Sequence, residues 1–469
     1  MKGDPHGPAD SSTASLLEDA AGRGARYLAG LDARCVQASA TAVAGLSRLE
    51  HELNDAPVDP AEVLAELDEL VSPATMAMAG PRFFGFVIGG TLPAALAANW
   101  LATAWDQNAA LGPVTPGVAR VEAVALRWLV EVLGLPTGTE GAFVTGATMA
   151  NFAALAAARH AVLARIGWNV EADGLFGAPP VTVIVGEEAH PTLLKALGLL
   201  GLGRRRVVRV PVDGQGRVRA QALPDIRGPT IVCLQAGNIN TGAFDPFEPI
   251  CVAAHEAGAW VHVDGAFGLW AQASSQLATL SRGVELADSW ATDAHKWLNV
   301  PYDSGLAFVR EPGVLPAAMA ITAEYLPSPG SERSPSDYTP ELSRRARGVE
   351  VWATLRSLGR RGLAELFERN CRQARRFAEG LAAGGFEILN DVVLNQVLVS
   401  FGTPETTRQG ISAVQADGTC WCGGTVWQGR TAMRISVCSW ATTDEDVERS
   451  IAAILRAAAR SRSCAVCDG

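Results

Sequence analysis

The chain has 469 residues, enough to bury a large core and to divide into two or three structural units. Its 49 acidic residues outnumber 39 basic ones, giving a formal net charge of -10 with no basic tail, which argues against a nucleic-acid binder. Mean hydropathy is +0.14, yet the apolar stretch 85-GFVIGGTLPAALAANWLATAW-105 is interrupted by Gly, Pro and Asn and closed by Asp106, which predicts a buried helix rather than a membrane span.

In chain order, MKGDPHGPADSSTASL lacks an apolar core of signal-peptide length and reads as a flexible tail, so a cytoplasmic protein is expected. Residues 12–75 read as helices; in 59-DPAEVLAELDEL-70, Asp59 is the N-cap, Pro60 takes the first helical position and Glu62 lies in the first turn. From 81 to 310, short Val/Ile-rich runs (181–186, 207–212, 231–237, 260–265, 305–310) alternate with helical stretches such as 246–258. This predicts an α/β unit with a mostly parallel sheet covered by helices on both faces. A Pro/Ser-rich stretch, 326–340, precedes a long helical run from 341 to about 384, and strands at 392–401 and 432–437 with a helix from Asp444 predict a small C-terminal α+β unit. The expected boundaries are 1–75, 76–370 and 371–469.

Nine cysteines, an odd number in so long a chain, favour a reducing compartment over a disulfide framework. Cys420 with Cys422 and Cys464 with Cys467 have a conceivable zinc reading, but the spacing favours unrelated thiols, and no metal is expected.

Ligands in such sheets bind beyond the carboxyl ends of the strands, and three strand ends carry chemistry. In 143-FVTGATMANFAALAAAR-159 a strand runs through Gly146 into an Ala-rich helix, placing free N–H groups and the Thr148 hydroxyl where they suit a phosphate or simply a tight turn. No Walker loop or dinucleotide fingerprint is present. In 261-VHVDGAF-267, Asp264 ends an apolar strand, where a carboxylate needs a cation or several donors. Lys296 follows 32 residues later, room for a helix and a strand, and it is one of only three lysines, with Lys2 and Lys195. A lysine amine can shed its proton and attack a carbonyl; arginine cannot. Phosphate cradle, buried acid and isolated lysine together describe a pyridoxal 5'-phosphate site.

The chain resembles the group II pyridoxal-dependent decarboxylases, which act on aromatic amino acids, tyrosine, glutamate or diaminobutyrate. The resemblance runs from about Pro81 to the C-terminus, on PRFFGF (81–86), TGATMANF (145–152), EEAHPTLLKALGLLG (187–201), WVHVDGAFG (260–268), ADSWATDAHKWLNVPYDSG (287–305) and SRRARGVEVWATLRSLG (343–359). It implies a type I pyridoxal-phosphate fold, Lys296 as the Schiff-base lysine, and Asp264 as partner of the pyridine nitrogen. Ala266 would pack on one ring face and His190, otherwise a satisfied core histidine, on the other. Ala147, Thr148 and His295 would contact the phosphate.

The family returns a proton from a loop tyrosine, which makes Tyr338 the expected general acid, with local packing as the alternative. Phe86 and Val87 would line the substrate pocket, with Asn108 and Ala110 contributed by the partner subunit. Arg434 would bind a substrate carboxylate or tie down the small domain. Three positions depart from the family pattern: Asp293 where Asn is frequent, Thr148 for Ser, and 237-GNINTG-242 where Gly-Thr-Thr is common. The resemblance therefore implies an amino-acid decarboxylase, with an aromatic or largely apolar substrate favoured, working as a homodimer with Phe86 and the N-terminal helices at the interface. Other reactions of the same cofactor (aldehyde synthesis, carbon–carbon lysis, transamination) and a catalytically silent scaffold are the competing readings.

Overall fold

The structure is a computed structural model that describes residues 12–321 and 333–467, with side chains through residue 459. The start of the expected N-terminal tail, part of the Pro/Ser stretch and the side chains of Cys464 and Cys467 lie outside the described residues.

Eleven described strands form two sheets: β1 (Glu140–Val144), β2 (Thr182–Gly186), β3 (Val208–Val210), β4 (Thr230–Gln235), β5 (Trp260–Asp264), β6 (Ser289–Asp293) and β7 (Gly305–Val309) in one, and β8 (Glu387–Ile388), β9 (Gln396–Ser400), β10 (Gly423–Trp427) and β11 (Arg430–Ser436) in the other. The large sheet has the order β1-β7-β6-β5-β4-β2-β3. The pairs joining β3, β2, β4, β5 and β6 are parallel, and β7 runs antiparallel to both neighbours. Near-continuous apolar strands fit because both faces are covered. Along β7, Leu306 and Phe308 enter one core, and Ala307 and Val309 enter the other. The second core is closed by the Ala147–Ala164 helix, whose alanines allow close approach to the sheet. By the same two-residue period, Trp260, His262 and Asp264 of β5 point to that helix's side.

The small sheet, β10-β11-β9-β8, is antiparallel and packs with helices Pro404–Asp417 and Asp444–Cys467. Helix Gly348–Ala383 runs between the two units, turning at Gly359 (φ +60°). The expected boundary at residue 370 falls within the helical segment that follows Gly359.

Several expectations need correcting. The 85–105 stretch is helical only over Pro93–Trp105. Its buried stripe is Ala95, Ala98 and Ala102, whereas Trp100, Leu101 and Trp105 are 46%, 55% and 48% exposed in the single chain. The helix lies close against Gly348–Ala383 through alanines, which turns its large residues outward. Between Asp264 and Lys296 the expected strand is β6, but three 3-10 turns (Gly268–Ala273, Ala278–Ser281, Val284–Leu286) replace the expected helix. Gly268 shows why the chain is tight there, since a Cβ would lie 2.3 Å from the Ala236 carbonyl oxygen. The run after 341 becomes helical only at Gly348, and the strand at 392–401 shrinks to 396–400. Among the described residues no helix is long and apolar enough to cross a membrane.

Candidate active site

The site lies at the carboxyl ends of β4, β5 and β6. Asp264, the last residue of β5, is 4% exposed and stands opposite Gln235 of β4 and Ala291 of β6. Burial of its carboxylate is compensated by donors: Oδ1 accepts from the Ala266 N–H at 3.2 Å, and Oδ2 from Asn151 Nδ2 at 3.2 Å. Asn151 escaped the sequence reading; its signal was one polar side chain inside an otherwise apolar Ala-rich helix.

Lys296 stands three residues beyond the end of β6. Its Nζ is 2.9 Å from Asp293 Oδ2, while Asp293 Oδ1 accepts from the Ala147 N–H at 2.6 Å. The Asp293 carboxylate is thus shared between the Lys296 amine and a helix N-terminus, both of which favour an anion. His295 accepts from the Ser304 N–H at Nδ1 (3.1 Å), which puts its proton on Nε2, 3.6 Å from Asp293 Oδ1. Burial holds the His295 imidazole below the ordinary histidine range. Tyr302 stacks on it with ring centroids 4.3 Å apart, a neighbour the sequence did not suggest.

His190 caps helix Pro191–Leu199, its Nδ1 lying 2.6 Å from Thr192 Oγ1. Burial lowers its basicity, and the charge of Asp264 works in the opposite direction. It lines one cleft with Gln235, Gly237, Ile239, Asp264, Ala266, Phe267 and Lys296. His190, Asp264, Ala266 and Lys296 thus meet, with Ala147 and Thr148 at the adjoining helix end. Gly146 opens that end, because a Cβ there would sit 3.1 Å from His295 Cε1 and 3.4 Å from Asp293 Oδ1. A glycine-opened helix N-terminus, a lysine amine and a buried carboxylate in one cleft form the donor set that pyridoxal phosphate needs, so the residues present fit the cofactor.

Segment 83–90 runs between the small sheet and Lys296. Phe84 donates its N–H to the Trp421 carbonyl and accepts from the Ser436 N–H, and a Cβ on Gly89 would lie 1.8 Å from the Lys296 carbonyl oxygen. Phe86 and Val87 both adopt positive φ, 55° and 58°; Val87 is buried, whereas Phe86 is 56% exposed and rests against Trp421. Arg434 of β11 reaches Asn240 Oδ1 at 3.5 Å, and its charge acts on His190.

Tyr338 does not line this cleft in its own chain. It packs on the core beside the Ala147–Ala164 helix, under the Arg333 guanidinium at 3.7 Å. Asn108 Oδ1 accepts from the Arg344 N–H, and the Ala110 carbonyl from the Ser336 N–H, so both clamp the segment that carries Tyr338. Cys420 and Cys422 are buried free thiols, and among the described residues no group of His, Cys, Asp and Glu is arranged to hold a metal. A separate cavity of about 920 Å³ lies elsewhere, walled by Leu28, Leu31, Leu96, Trp100 and Trp440.

Known proteins resemble the chain over most of its length. The chain is 28% identical over 415 residues to tryptophan decarboxylase 1 of Oryza sativa subsp. japonica, covering 80% of this chain and 79% of that one. It is also 28% identical over 325 residues to an aromatic-L-amino-acid decarboxylase of Bacillus atrophaeus, covering 67% of this chain and 65% of that one. The solved structure of Oryza sativa TDC with PLP and tryptamine superposes with a TM-score of 0.88 at 23% identity, covering 98% of this chain and 99% of that one, which shows a common fold. The family model described as the pyridoxal-dependent decarboxylase conserved domain matches residues 45–402, and with most of the chain inside that match, the chain belongs to the pyridoxal-dependent decarboxylase family.

Proposed function

We propose that this carboxy-lyase removes CO2 from the α-carboxylate of an aromatic or largely apolar L-amino acid to leave the amine, and that it works as a cytoplasmic homodimer. The observation that carries the reading is the convergence of Lys296, Asp264 and His190 on one cleft whose remaining walls include Ile239 and Phe267. Phe86, in the segment packed against Lys296, rests on Trp421 of the small unit.

Bound pyridoxal phosphate supplies the electron sink for the pair left at Cα when CO2 departs. Lys296 Nζ is the covalent anchor, and Asp264 holds a proton at the ring nitrogen. Ala266 and His190 would hold the ring, and Ala147, Thr148 and His295 would bind the phosphate. Arg434 receives a carboxylate or, through Asn240, ties down the small unit. Tyr338 is the candidate to return the proton to Cα, with its packing under Arg333 in its own chain as the alternative role. Exposure of Phe86, Trp100, Leu101 and Trp105 in a single chain supports burial in a dimer. The seven described free cysteines accord with a reducing compartment.

The test is a screen of purified, cofactor-loaded protein against the common amino acids, with CO2 and product both quantified. Equal yields of CO2 and amine from tryptophan, tyrosine or phenylalanine are expected. Aldehyde with ammonia and peroxide would replace this reading by aldehyde synthesis, and no turnover on any amino acid would overturn it. Borohydride reduction and peptide mapping should place the pyridoxyl adduct on Lys296.

A further inference from the structure

Behind Asp264, on the side away from the cleft, lies a file of polar groups sealed from solvent. Trp260 Nε1 donates to Ser289 Oγ at 2.9 Å, and Ser289 Oγ lies 2.9 Å from His262 Nδ1. His262 Nε2 is 2.8 Å from Asn151 Oδ1, and Asn151 Nδ2 donates to Asp264 Oδ2 at 3.2 Å. Trp260, Ser289, His262 and Asn151 are all within 1% of full burial. β-sheet register makes the arrangement possible: Trp260, His262 and Asp264 share one face of β5, and Ser289 pairs with His262 across β6. Burial also drives the His262 imidazole down to about 3, so the ring is neutral and carries one proton.

The direction of every bond in this file follows from its two ends. An indole N–H can only donate, so Ser289 Oγ accepts from Trp260 and its own hydrogen goes to His262 Nδ1. The imidazole proton then sits on Nε2 and points at the Asn151 carbonyl, which turns the Asn151 amide N–H toward Asp264. Reversal would need a protonated Asp264 donating to Asn151. In that arrangement both Trp260 and His262 would donate to Ser289, leaving its hydroxyl hydrogen facing no acceptor at a fully buried site, an arrangement native interiors avoid.

We propose that Asn151 and His262 are positioning residues for decarboxylation: a one-way donor chain starting at the Trp260 indole holds Asp264 as an accepting carboxylate, oriented to keep the cofactor's ring nitrogen protonated. This rests on the cleft being the cofactor site. Asn151 is the one member of the chain that touches Asp264; His262, Ser289 and Trp260 act through it.

The experiment loads the protein with pyridoxal phosphate labelled with 15N in the ring and records the ring-nitrogen chemical shift at neutral pH, together with kcat and KM. In the parent protein the shift should be that of a protonated pyridine. Asn151→Leu should move it toward the unprotonated position and lower kcat by about 10- to 100-fold, as for other partners of a reacting group's neighbour, with KM little changed. His262→Phe should act in the same direction. Ser289→Ala, a smaller perturbation, provides the same readout should either variant fail to fold, with a smaller displacement expected. A ring-nitrogen shift identical to the parent's in every variant that folds would overturn the proposal, even where kcat falls, because a packing defect alone would not move it. Borohydride mapping runs alongside. An adduct on Lys296 with an unchanged ring nitrogen defeats the donor chain alone, whereas absence of the adduct from the parent defeats the cofactor site with it.

Discussion

Gly89→Ala tests how Lys296, the proposed cofactor anchor, is held in place. The turn Lys296–Asn299 is tied to segment 89–92 and to the small unit through Asn299. Its Oδ1 accepts from the Gly90 N–H at 2.8 Å and the Trp440 N–H at 2.9 Å, its Nδ2 donates to the Cys438 carbonyl at 3.0 Å, and its own carbonyl accepts from the Leu92 N–H at 2.9 Å. Gly89 sits inside this clamp, and the added methyl would lie 1.8 Å from the Lys296 carbonyl oxygen, where real Cβ contacts stay beyond 3.0 Å. Backbone must therefore move by about 1.2 Å, and both sides of the contact are main chain rather than a flexible side chain. A displacement near 1 Å at a reacting group costs roughly 100-fold in rate, and overpacking costs about 1–3 kcal/mol of stability. The assay pairs CO2 release under single-substrate conditions with cofactor affinity from fluorescence titration and with thermal unfolding. Gly117→Ala is the control, since it begins a helix with nothing within 4 Å of the new methyl and should cost neither activity nor stability. Parent-like kcat/KM and unfolding temperature in Gly89→Ala would refute the clamp.

Tyr338→Phe should lower kcat by about 100- to 10,000-fold, the range for loss of a general acid, with cofactor affinity unchanged; a parent-like kcat would return this tyrosine to a packing role. Asp245 is buried and accepts from the Val218 and Gln235 N–H groups at 2.7 Å each, yet burial outweighs them and pushes its carboxyl up to about 6. The folded state then binds the extra proton between the ordinary carboxylate value and about 6. Stability should fall by up to about 3 kcal/mol as pH rises through that window, and urea unfolding at pH 4 and pH 7 should show Asp245→Asn flattening that part of the profile. Arg344 and Glu122 form an ion pair at 2.8 Å with both side chains at most 2% exposed. Arg344→Met should destabilise the protein by about 3–5 kcal/mol in urea unfolding, and adding Glu122→Leu should recover much of the loss, because the larger cost is the stranded charge.

What could be read from the amino-acid order was what depends on local pattern. Apolar runs of strand length separated by helices pointed to a mostly parallel sheet with both faces covered, and a glycine opening an Ala-rich helix, an acid ending an apolar strand and a rare lysine together described a pyridoxal-phosphate site. Element ends slipped where packing overrode pattern: the 85–105 stretch looked buried because hydropathy does not reveal which helix face meets a neighbour, and alanines rather than tryptophans took the inside.

Pattern was equally silent on partners distant in the chain. That Asp293 would share its charge between Lys296 and the Ala147 N–H, that Gly89 would abut the lysine's carbonyl, and that Asn151 would link His262 to Asp264 all depend on strand register and helix placement, which only the folded chain supplies. Residue types set the available chemistry, since a lysine amine can attack a carbonyl where arginine cannot, and the charge of a carboxylate favours a protonated ring nitrogen. Tertiary structure decided how each charged group is satisfied, because a buried charge is tolerable only where donors from other strands and helices arrive within hydrogen-bond distance.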